Sequence, residues 1–445
     1  MRHYTPLDVA RELAKYAPER CTSILEPAVG TGLLLDPLLD RLRGTAQRVM
    51  CADVDPNAMD QVTLRLRPIL GEALELVHGD FLEYSSPEHG MLPAETFDCI
   101  LMNPPFRGRK SDWIRLDLNS EFPGRALRAR SAPVEAAFVV RALRLLKENG
   151  RLLAIIPSTL VASANTAWLR SLMLEFGSVL YVHELPKYTF AGVEARVYLL
   201  VFEKGRSQEE VVLRNHDLLD TESLSVRLEV LHPDFRLDFG FHAAREQHSS
   251  IARASSDLDW MPVEQVATVM RGSEGSPDGI SKAIHTCDFR AGRWDARERL
   301  ISAAPSSSVT VRAGDLLLKR VGRFCAQTIG LVAPGQEHFP CTDCVLMIRP
   351  RRAADAQRLL WALRVVVGMG NATRLLEQGT GATYITEGAV KRLLVPMQLP
   401  QLFPQFWRAY RKACQDGCSE SMVRIEDSVR RTLNAPFILH PASNC

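Results

Sequence analysis

Several kinds of segment are missing from this 445-residue sequence. No apolar run approaches the roughly 20 residues that a membrane-spanning helix needs, and the first residues lack the apolar core of a secretory signal peptide. The ten cysteines are scattered, and some of them, such as Cys51 and Cys99, lie in apolar runs where a reduced thiol acts as a small hydrophobe. These absences predict a cytoplasmic protein with no membrane association and no disulfide framework.

Metal-binding and nuclease signals are also weak. Cys341 and Cys344 are spaced like a zinc knuckle, but 69 residues lie between Cys344 and Cys414, the next candidate ligand. Cys344 also opens the apolar run Val345-Leu346-Met347-Ile348, which is typical of a buried strand. We therefore expect no metal, and zinc at Cys341 and Cys344 remains the alternative. No acidic and lysine cluster of the nuclease type precedes residue 20, so any DNA cleavage would need a separate partner protein.

The residues that are present allow a large core and two domains. Apolar residues make up 46% of the chain and charged residues 24%, and we place the domains at residues 1–245 and 255–445. The overall charge of +2 conceals a gradient, because residues 1–100 are net −7 and residues 101–151 are net +6. This split fits an acidic site for a cationic cofactor followed by a basic segment for phosphates. An unevenly charged solvated surface is the alternative.

Short β-rich runs alternate with helical periodicity as far as about residue 205. This pattern predicts an α/β fold with a doubly wound, mostly parallel sheet. Runs 180–185 and 197–202 are close together and predict an antiparallel edge. The predicted strands before them are 23–26, 48–53, 74–78, 97–102 and 152–156, and the predicted helices are 33–42, 56–70 and 133–147.

A glycine-containing loop follows the first predicted strand. Gly30 and Gly32 would let the backbone approach a ligand, and the helix expected after them would offer free amides. The third glycine of the dinucleotide fingerprint is absent, because position 35 is Leu. Turn-forming glycines without a ligand are therefore the alternative.

Acidic residues end three successive predicted strands. Asp53 follows Gly32 by 21 residues, where a carboxylate can bind ribose hydroxyls. Asp80 could accept the amino group of an adenine whose ring packs on Phe81. Together with Glu26, these carboxylates would ring one crevice and favour a positively charged ligand. S-adenosylmethionine, with its sulfonium, ribose and adenine, fits this description.

The segment Asn103-Pro104-Pro105-Phe106 closes the fourth predicted strand. The two prolines restrict the backbone, so that the Asn103 side chain and the Pro104 carbonyl present two acceptors that suit an exocyclic amine. Phe106 supplies a flat face for a base pulled out of a helix. The segment therefore predicts methylation of a nucleobase amino group.

In this order, Glu-Pro-Ala-x-Gly-x-Gly, Asp-x-Asp-Pro, Gly-Asp-Phe and Asn-Pro-Pro-Phe resemble the motifs of the gamma-class, TaqI-like adenine-N6 DNA methyltransferases. The N-terminal Tyr4-Thr5-Pro6 resembles their first cofactor motif, and the resemblance covers residues 1–205. It implies a class I methyltransferase fold and S-adenosylmethionine as the methyl donor. The implied cofactor residues are Thr5, Glu26, Ala28, Gly30, Asp53, Asp80 and Phe81, and the implied catalytic residues are Asn103, Pro104 and Phe106.

Two aromatic positions bear on the target base. Phe106 replaces the commoner Tyr of this family and leaves guanine of RNA as an alternative to adenine. The segment from Tyr188 to Val193 resembles the one that places a second aromatic against the flipped base, and Phe190 is the candidate there. A plain core position is the alternative for Phe190.

Basic residues in two regions are candidates for DNA contacts. After the Asn-Pro-Pro-Phe segment, Arg107, Arg109 and Lys110 begin a long basic connection that could clamp a phosphate backbone, with disorder as the alternative. From about Trp260, the pattern resembles the target-recognition domains of type I restriction specificity subunits, which implies an α+β fold. A Gly-Asp-x-Leu strand precedes an Arg-rich turn, and a Gly-rich loop follows at 379–382. The residues expected to contact DNA there are Lys319, Arg320 and Arg323.

The sequence therefore predicts a site-specific adenine-N6 methyltransferase that acts on double-stranded DNA in restriction-modification or phage defence. A single recognition domain fits a monomer, with restriction or defence subunits as separate partners. An enzyme that methylates an amino group of RNA or of a protein glutamine is one alternative. A DNA-binding module that has lost catalysis is the other.

Overall fold

The computed structural model describes residues 5–89, 91–106, 112–186, 189–190, 196–216, 221–228, 236–273, 280–290, 293–294, 297–300, 310–369, 372–379 and 383–438. The chain divides into two compact units, Met1–Phe239 (unit 1) and Gly240–Cys445 (unit 2). The functions expected of the two domains stay predictions at this point.

Unit 1 contains a nine-stranded mixed sheet and a separate two-stranded sheet. Its strands are β1 (Ser23–Glu26), β2 (Arg48–Asp53), β3 (Leu74–His78), β4 (Phe97–Met102), β5 (Ile114–Leu116), β6 (Arg130–Ala132), β7 (Leu146–Pro157), β8 (Gly177–Glu184), β9 (Val197–Lys204), β10 (Glu210–His216) and β11 (Thr221–Arg227). Its helices are α1 (Leu7–Ala14), α2 (Leu39–Leu42), α3 (Pro56–Leu70), α4 (Phe81–Tyr84), α5 (Leu118–Glu121), α6 (Val134–Leu145), α7 (Ser158–Ala162) and α8 (Ala167–Phe176).

The order of strands in the sheet is β11-β10-β8-β9-β7-β4-β1-β2-β3. β1 lies between β2 and β4 and is parallel to both, and the pairs β2–β3, β4–β7 and β8–β10 are parallel as well. β9 is antiparallel to β7 and to β8, and every residue of β9 is buried. A strand covered on both faces needs a nearly continuous apolar run, which Val197 to Phe202 supplies. The predicted α/β fold with a mostly parallel sheet is confirmed.

The described strands and helices agree with the predicted ones at most positions before residue 160. β1 to β4 coincide with the predicted runs, and α3 begins and ends where expected. α3 has strong end signals, because the Asp55 carboxylate accepts a hydrogen bond from the Asn57 amide, Pro56 is the first helical residue, and Gly71 follows the last turn with φ of 56°.

One predicted helix and the predicted end of the sheet were wrong. Residues 33–35 form turns, followed by a 3-10 turn at Asp36–Leu38 and the single turn of α2. Successive amides bond three residues back, as Leu35 does to Gly32, and Pro37 has no amide to donate, so an α-helix does not form over 33–42. The sheet also continues beyond residue 205 through β10 and β11, so β8 and β9 do not form its edge.

Unit 2 contains short strands and helices in an α+β arrangement. Its strands are β12 (Trp260–Pro262), β13 (Ala267–Arg271), β14 (Ile280–Ala283), β15 (Phe289–Arg290), β16 (Arg293–Trp294), β17 (Arg297–Leu300), β18 (Leu316–Lys319), β19 (Val321–Gly322), β20 (Gly330–Leu331), β21 (Val345–Pro350), β22 (Glu377–Gln378), β23 (Thr383–Ile385) and β24 (Leu394–Pro396). Its helices are α9 (Phe239–Ala254), α10 (Val263–Val266), α11 (Ala356–Val367), α12 (Thr373–Leu376), α13 (Glu387–Arg392), α14 (Leu399–Leu402), α15 (Pro404–Gln415) and α16 (Ser419–Ile438).

The core of unit 2 combines an antiparallel sheet with the C-terminal helices. The sheet has the strand order β13-β21-β18-β20. Trp361 on α11 stacks on Trp407 and Tyr410 of α15, with ring centroids 5.5 and 5.3 Å away. The Tyr410 hydroxyl donates to the buried Glu426 carboxylate of α16, which also pairs with Arg364. In neither unit is a described helix both long and apolar enough to cross a membrane.

Candidate active site

The carboxyl ends of the central parallel strands bring the predicted motifs to one edge of the sheet. β1 ends at Glu26, β2 ends at Asp53, and β4 is followed directly by Asn103. Because β1 lies between β2 and β4, Glu26 occupies the middle position among these three residues. Ligands of open α/β sheets bind at this edge, where neighbouring connections diverge. The strand order therefore assembles the candidate site from residues far apart in sequence.

A crevice opens at this edge. Five predicted site residues line it, and Val29, Thr31, Leu33 and Leu34, which the sequence analysis did not select, complete the lining. Those four residues belong to the loop after β1, so the glycine-containing pattern of this loop could have identified them from the sequence. Asp53, Asp80, Phe81, Pro104 and Phe106 lie outside the lining. The predicted residues that line the crevice are Thr5, Glu26, Ala28, Gly30 and Asn103.

Glu26 is a buried carboxylic acid in the crevice. Its side chain is 1% exposed, and its Oε2 has no hydrogen-bond partner among the described residues. Burial raises the pKa of Glu26 well above its ordinary value, and the carboxylates of Asp36 and Asp53 raise it further, whereas Arg65 lowers it. A cationic or hydrogen-bond-donating ligand would satisfy this oxygen. Glu26 therefore fits a ligand that brings positive charge into the crevice.

The loop after β1 is held by Asp53. Its Oδ2 accepts a hydrogen bond from the Gly30 amide at 2.8 Å, and its Oδ1 accepts one from the Asp55 amide at 2.9 Å. Gly30 has a left-handed φ of 52°, and a Cβ there would meet open space, as expected beside a ligand cavity. Gly32 also has a positive φ, but a Cβ there would stand 3.5 Å from the Val62 side chain of α3. Position 30 is therefore open to the crevice, whereas position 32 faces the protein interior.

Arg65 of α3 supports the same loop from the other side. Its guanidinium donates to the carbonyl of Thr31 and pairs with the Asp36 carboxylate. No local sequence pattern predicts these contacts, because they join residues about 30 positions apart. The loop is thus held by an acidic residue at one end and a basic residue at the other.

Asp80 and Phe81 begin α4. The Asp80 carboxylate caps the helix by accepting from the Leu82 amide at 2.8 Å, and the residue is exposed. The Phe81 ring is 3% exposed and packs against Phe138 at 5.1 Å between centroids. Both residues therefore have structural contacts of their own. Their roles in binding an adenine stay predictions.

Asn103 contacts Thr5 across 98 positions of sequence. The Asn103 side-chain Nδ2 donates to the Thr5 hydroxyl at 3.1 Å, so the Asn103 carbonyl oxygen is oriented away from Thr5 and is available as an acceptor. Thr5 is only 8% exposed, which limits the freedom of this contact. The amide of the Asn-Pro-Pro-Phe segment is thus held by the N-terminal segment that the resemblance assigned to the cofactor.

The aromatic candidates differ in exposure. Phe106 is 37% exposed and can present a ring face to a ligand. Phe190 is 5% exposed and belongs to the core of unit 1, which is the arrangement that the core alternative expects. A contact between Phe190 and a base would require its ring to move, so that role stays a prediction. Arg107, Arg109 and Lys110 lie outside the described residues.

The basic candidates in unit 2 lie around a small three-stranded sheet with the order β19-β23-β22. The Arg-rich segment 319–323 includes β19, which pairs with β23, the strand that follows the Gly-rich segment in sequence. Arg320 pairs with Asp343 at 3.4 Å, and Lys319 lies over the Phe289 ring at 6.0 Å. Arg323 is exposed. Binding of DNA by these residues stays a prediction.

The pKa values of the Cys341 and Cys344 thiols of unit 2 are both raised. Burial raises the pKa of Cys341 to about 12, and burial together with the Asp343 carboxylate raises the pKa of Cys344. A thiol must lose its proton to bind zinc. In the part of the chain that the structure describes, no group of three or more His, Cys, Asp or Glu side chains is arranged to hold a metal ion.

The fold is a doubly wound, mostly parallel sheet with a ligand crevice at the carboxyl ends of its central strands. The family model for N-6 DNA methylases matches residues 2–228, which is just over half of the chain. The chain therefore belongs to the N-6 DNA methylase family, and the recognition drawn from the motifs is confirmed for this family. The resemblance of unit 2 to target-recognition domains stays a prediction.

A curated relative and two solved structures are similar to the chain. A type II methyltransferase of Thermus thermophilus is 29% identical over 191 residues, which cover 41% of this chain and 40% of that protein. The type IIG restriction endonuclease BpuSI has a TM-score of 0.46 and 12% identity, over 88% of this chain and 57% of that one. The methyltransferase subunit of a type I restriction-modification system from Streptococcus thermophilus has a TM-score of 0.39 and 19% identity, over 48% and 47% of the chains.

Proposed function

We propose that the protein is a site-specific DNA methyltransferase that transfers a methyl group from S-adenosylmethionine to N6 of an adenine extruded from double-stranded DNA. The observation that carries the proposal is the side-chain amide of Asn103, whose Nδ2 donates to the Thr5 hydroxyl beside a crevice that also contains the buried acid Glu26. Membership of the N-6 DNA methylase family supports the proposal.

The crevice suits S-adenosylmethionine. Among the described residues, none hydrogen-bonds to the buried Oε2 of Glu26, so this oxygen could bind a cationic ligand, and Gly30 leaves open space where a side chain would otherwise stand. Asp53 keeps further lone pairs for ribose hydroxyls, since each carboxylate oxygen can accept more than one hydrogen bond. When bound, the cofactor supplies the electrophilic methyl group on its sulfonium.

The residues after β4 would prepare the amine. The lone pair of adenine N6 is delocalised into the ring, so the amine is a poor nucleophile. Hydrogen bonds to the Asn103 side-chain oxygen and the Pro104 carbonyl would draw both amino protons out of the ring plane and localise that lone pair. The transfer is then an in-line displacement that depends on positioning and electrostatics rather than on a strong base.

Phe106 would offset the cost of extruding the base. Taking a base out of the stack costs a few kcal/mol, and stacking on an aromatic ring recovers part of this. The 37% exposure of Phe106 leaves its ring available for stacking on the base. Unit 2 would select the DNA sequence through the basic residues near β19. We also propose that the protein acts together with a separate nuclease in restriction-modification or phage defence.

Asn103→Ala tests the catalytic assignment. We expect this variant to lose most methyl transfer to plasmid DNA, while it binds S-adenosylmethionine with the affinity of the wild type in calorimetry. Asn57→Ala is the matched control, because it makes the same substitution at an exposed position of α3. Methylation by Asn103→Ala at the wild-type rate would refute the assignment.

A further inference from the structure

Phe324 is the most exposed large apolar side chain among the described residues of unit 2. Its relative exposure is 67%, compared with 50% for Leu402 and 42% for Val423. It lies in the Arg-rich turn, directly after Arg323. Single exposed apolar residues are common on protein surfaces, so exposure alone assigns no role to this ring.

The backbone of Phe324 supplies a second observation. Its φ of 55° and ψ of 36° lie in the left-handed region, which a bulky residue rarely adopts and which costs free energy. Such a conformation persists only where the surrounding structure enforces it. Glycine or asparagine would relieve the cost, because both adopt this region more readily. A phenylalanine in this position is therefore unfavourable for folding.

The residues on either side hold the turn in place. Cys325 and Ala326 are fully buried, and the Ala326 amide donates to Glu377 Oε1 at 3.0 Å. The Thr383 hydroxyl donates to the Gly322 carbonyl at 2.8 Å, which fixes the end of β19 on β23. The ring of Phe324 thus projects from a firmly anchored turn.

The surroundings are basic. Arg323, the residue before Phe324, is exposed, and Lys319 and Arg320 belong to the same Arg-rich segment. The Asp343 carboxylate pairs with both Arg320 and Arg271, and Glu377 is bound at the same turn. The four basic side chains of this part of the chain, Lys319, Arg320, Arg323 and Arg271, outnumber these two carboxylates. A polyanion with flat apolar surfaces between its charges complements a projecting aromatic ring with cations around it.

We propose that the Phe324 ring inserts between base pairs of the DNA duplex that unit 2 binds. The inference rests on the proposed function, because it takes duplex DNA as the ligand. Insertion of an aromatic ring partly unstacks a base step and bends or unwinds the duplex. The strained backbone then serves to aim the ring, and Arg323 and its neighbours contact the flanking phosphates.

The test compares Phe324→Gly with Leu402→Ala in the full chain. The probe for affinity is a pool of 40-base-pair duplexes of random sequence, and the probe for insertion is a relaxed circular plasmid treated with topoisomerase at saturating protein. We expect Phe324→Gly to bind the pool about tenfold more weakly and to unwind the plasmid less than the wild type does. Phe324→Trp should restore both properties, and Leu402→Ala should match the wild type.

Each result decides the proposal. Phe324→Gly should unfold at the wild-type temperature or above it, because glycine suits the left-handed backbone, so misfolding does not explain a loss of binding. Equal affinity of Phe324→Gly and the wild type overturns the proposal, and so does weaker binding with unchanged plasmid unwinding. If the wild type neither binds nor methylates DNA, the proposed function itself fails and this inference fails with it.

Discussion

The buried acid Glu26 makes the stability of unit 1 depend on pH. In the unfolded chain its carboxyl group ionises near its ordinary pKa, whereas burial keeps it protonated to a higher pH in the folded protein. Between the ordinary pKa and the raised pKa, the folded state therefore binds more protons than the unfolded state. The contribution of Glu26 to stability is fully present below the ordinary pKa and is lost as pH rises towards the raised pKa.

Glu26→Gln should remove this dependence. The amide cannot ionise, so the stability of the variant relative to the wild type should rise as pH increases above about 4.3. Thermal unfolding of both proteins between pH 4 and 8, without cofactor, measures the difference. A difference that stays constant across this range would contradict a raised pKa for Glu26. The variant should also bind S-adenosylmethionine more weakly, because its amide cannot ionise in response to the positive charge of the ligand.

The contact between Thr5 and Asn103 predicts a positioning role for the threonine hydroxyl. Thr5→Val keeps the shape of the side chain but cannot accept the hydrogen bond from Asn103. We expect the turnover rate to fall about tenfold, the value of one lost hydrogen bond. Thr5→Ser keeps the hydroxyl and should retain most of the rate. Equal single-turnover rates for Thr5→Val and Thr5→Ser would show that the hydroxyl does not orient Asn103.

At this scale the sequence predicted residue types better than contacts. The structure places Asn103, Glu26 and Gly30 at the crevice, and each could be selected from the sequence because it lies at or soon after a strand end in a recognisable local pattern. The bond between Asn103 and Thr5 was not predictable, since it depends on how α1 packs near β4. The burial of Phe190 likewise depends on tertiary packing, and a single aromatic position in a sequence does not reveal its exposure.

The Asp53 side chain holds the loop between β1 and α2 through its bonds to backbone amides. Asp53→Ala would remove the acceptor of the Gly30 and Asp55 amides, at a cost of about 1–3 kcal/mol. The loop should then lose its fixed shape, and the affinity for S-adenosylmethionine should fall at least about tenfold. Asp60→Ala, on the exposed face of α3, is the control for both calorimetry and thermal unfolding. If Asp53→Ala bound S-adenosylmethionine with wild-type affinity, Asp53 would not be needed to hold the loop in its binding shape.

The elements show where sequence patterns fail. β1 to β4 and α3 were predicted because their apolar runs and end residues agree with their final environment. The prediction of a helix over 33–42 was wrong because the apolar spacing continues through Pro37. In the structure, amides of this segment instead donate to carbonyls three residues back. β10 and β11 were missed because Glu210 to His216 and Thr221 to Arg227 carry many polar residues, as strands near a sheet edge often do.

On the scale of the whole molecule, the chain combines a family domain with a second unit that the family model does not reach. The match to the family model ends at residue 228, and unit 2 begins at Gly240. The curated relative matches the chain over only 40% of its own length. The activity and the DNA partner of the complete chain are therefore proposals that depend on the site in unit 1 and the basic turn in unit 2.

Nucleoside analysis of methylated DNA tests the central claim most directly. The wild-type protein is incubated with S-adenosylmethionine carrying a labelled methyl group, together with genomic DNA, total RNA and a protein extract in separate reactions. Our account predicts label on N6-methyladenine from the DNA, at a defined set of sequence positions. Label on cytosine, on RNA or on protein glutamine, or the absence of transfer to DNA, would contradict it.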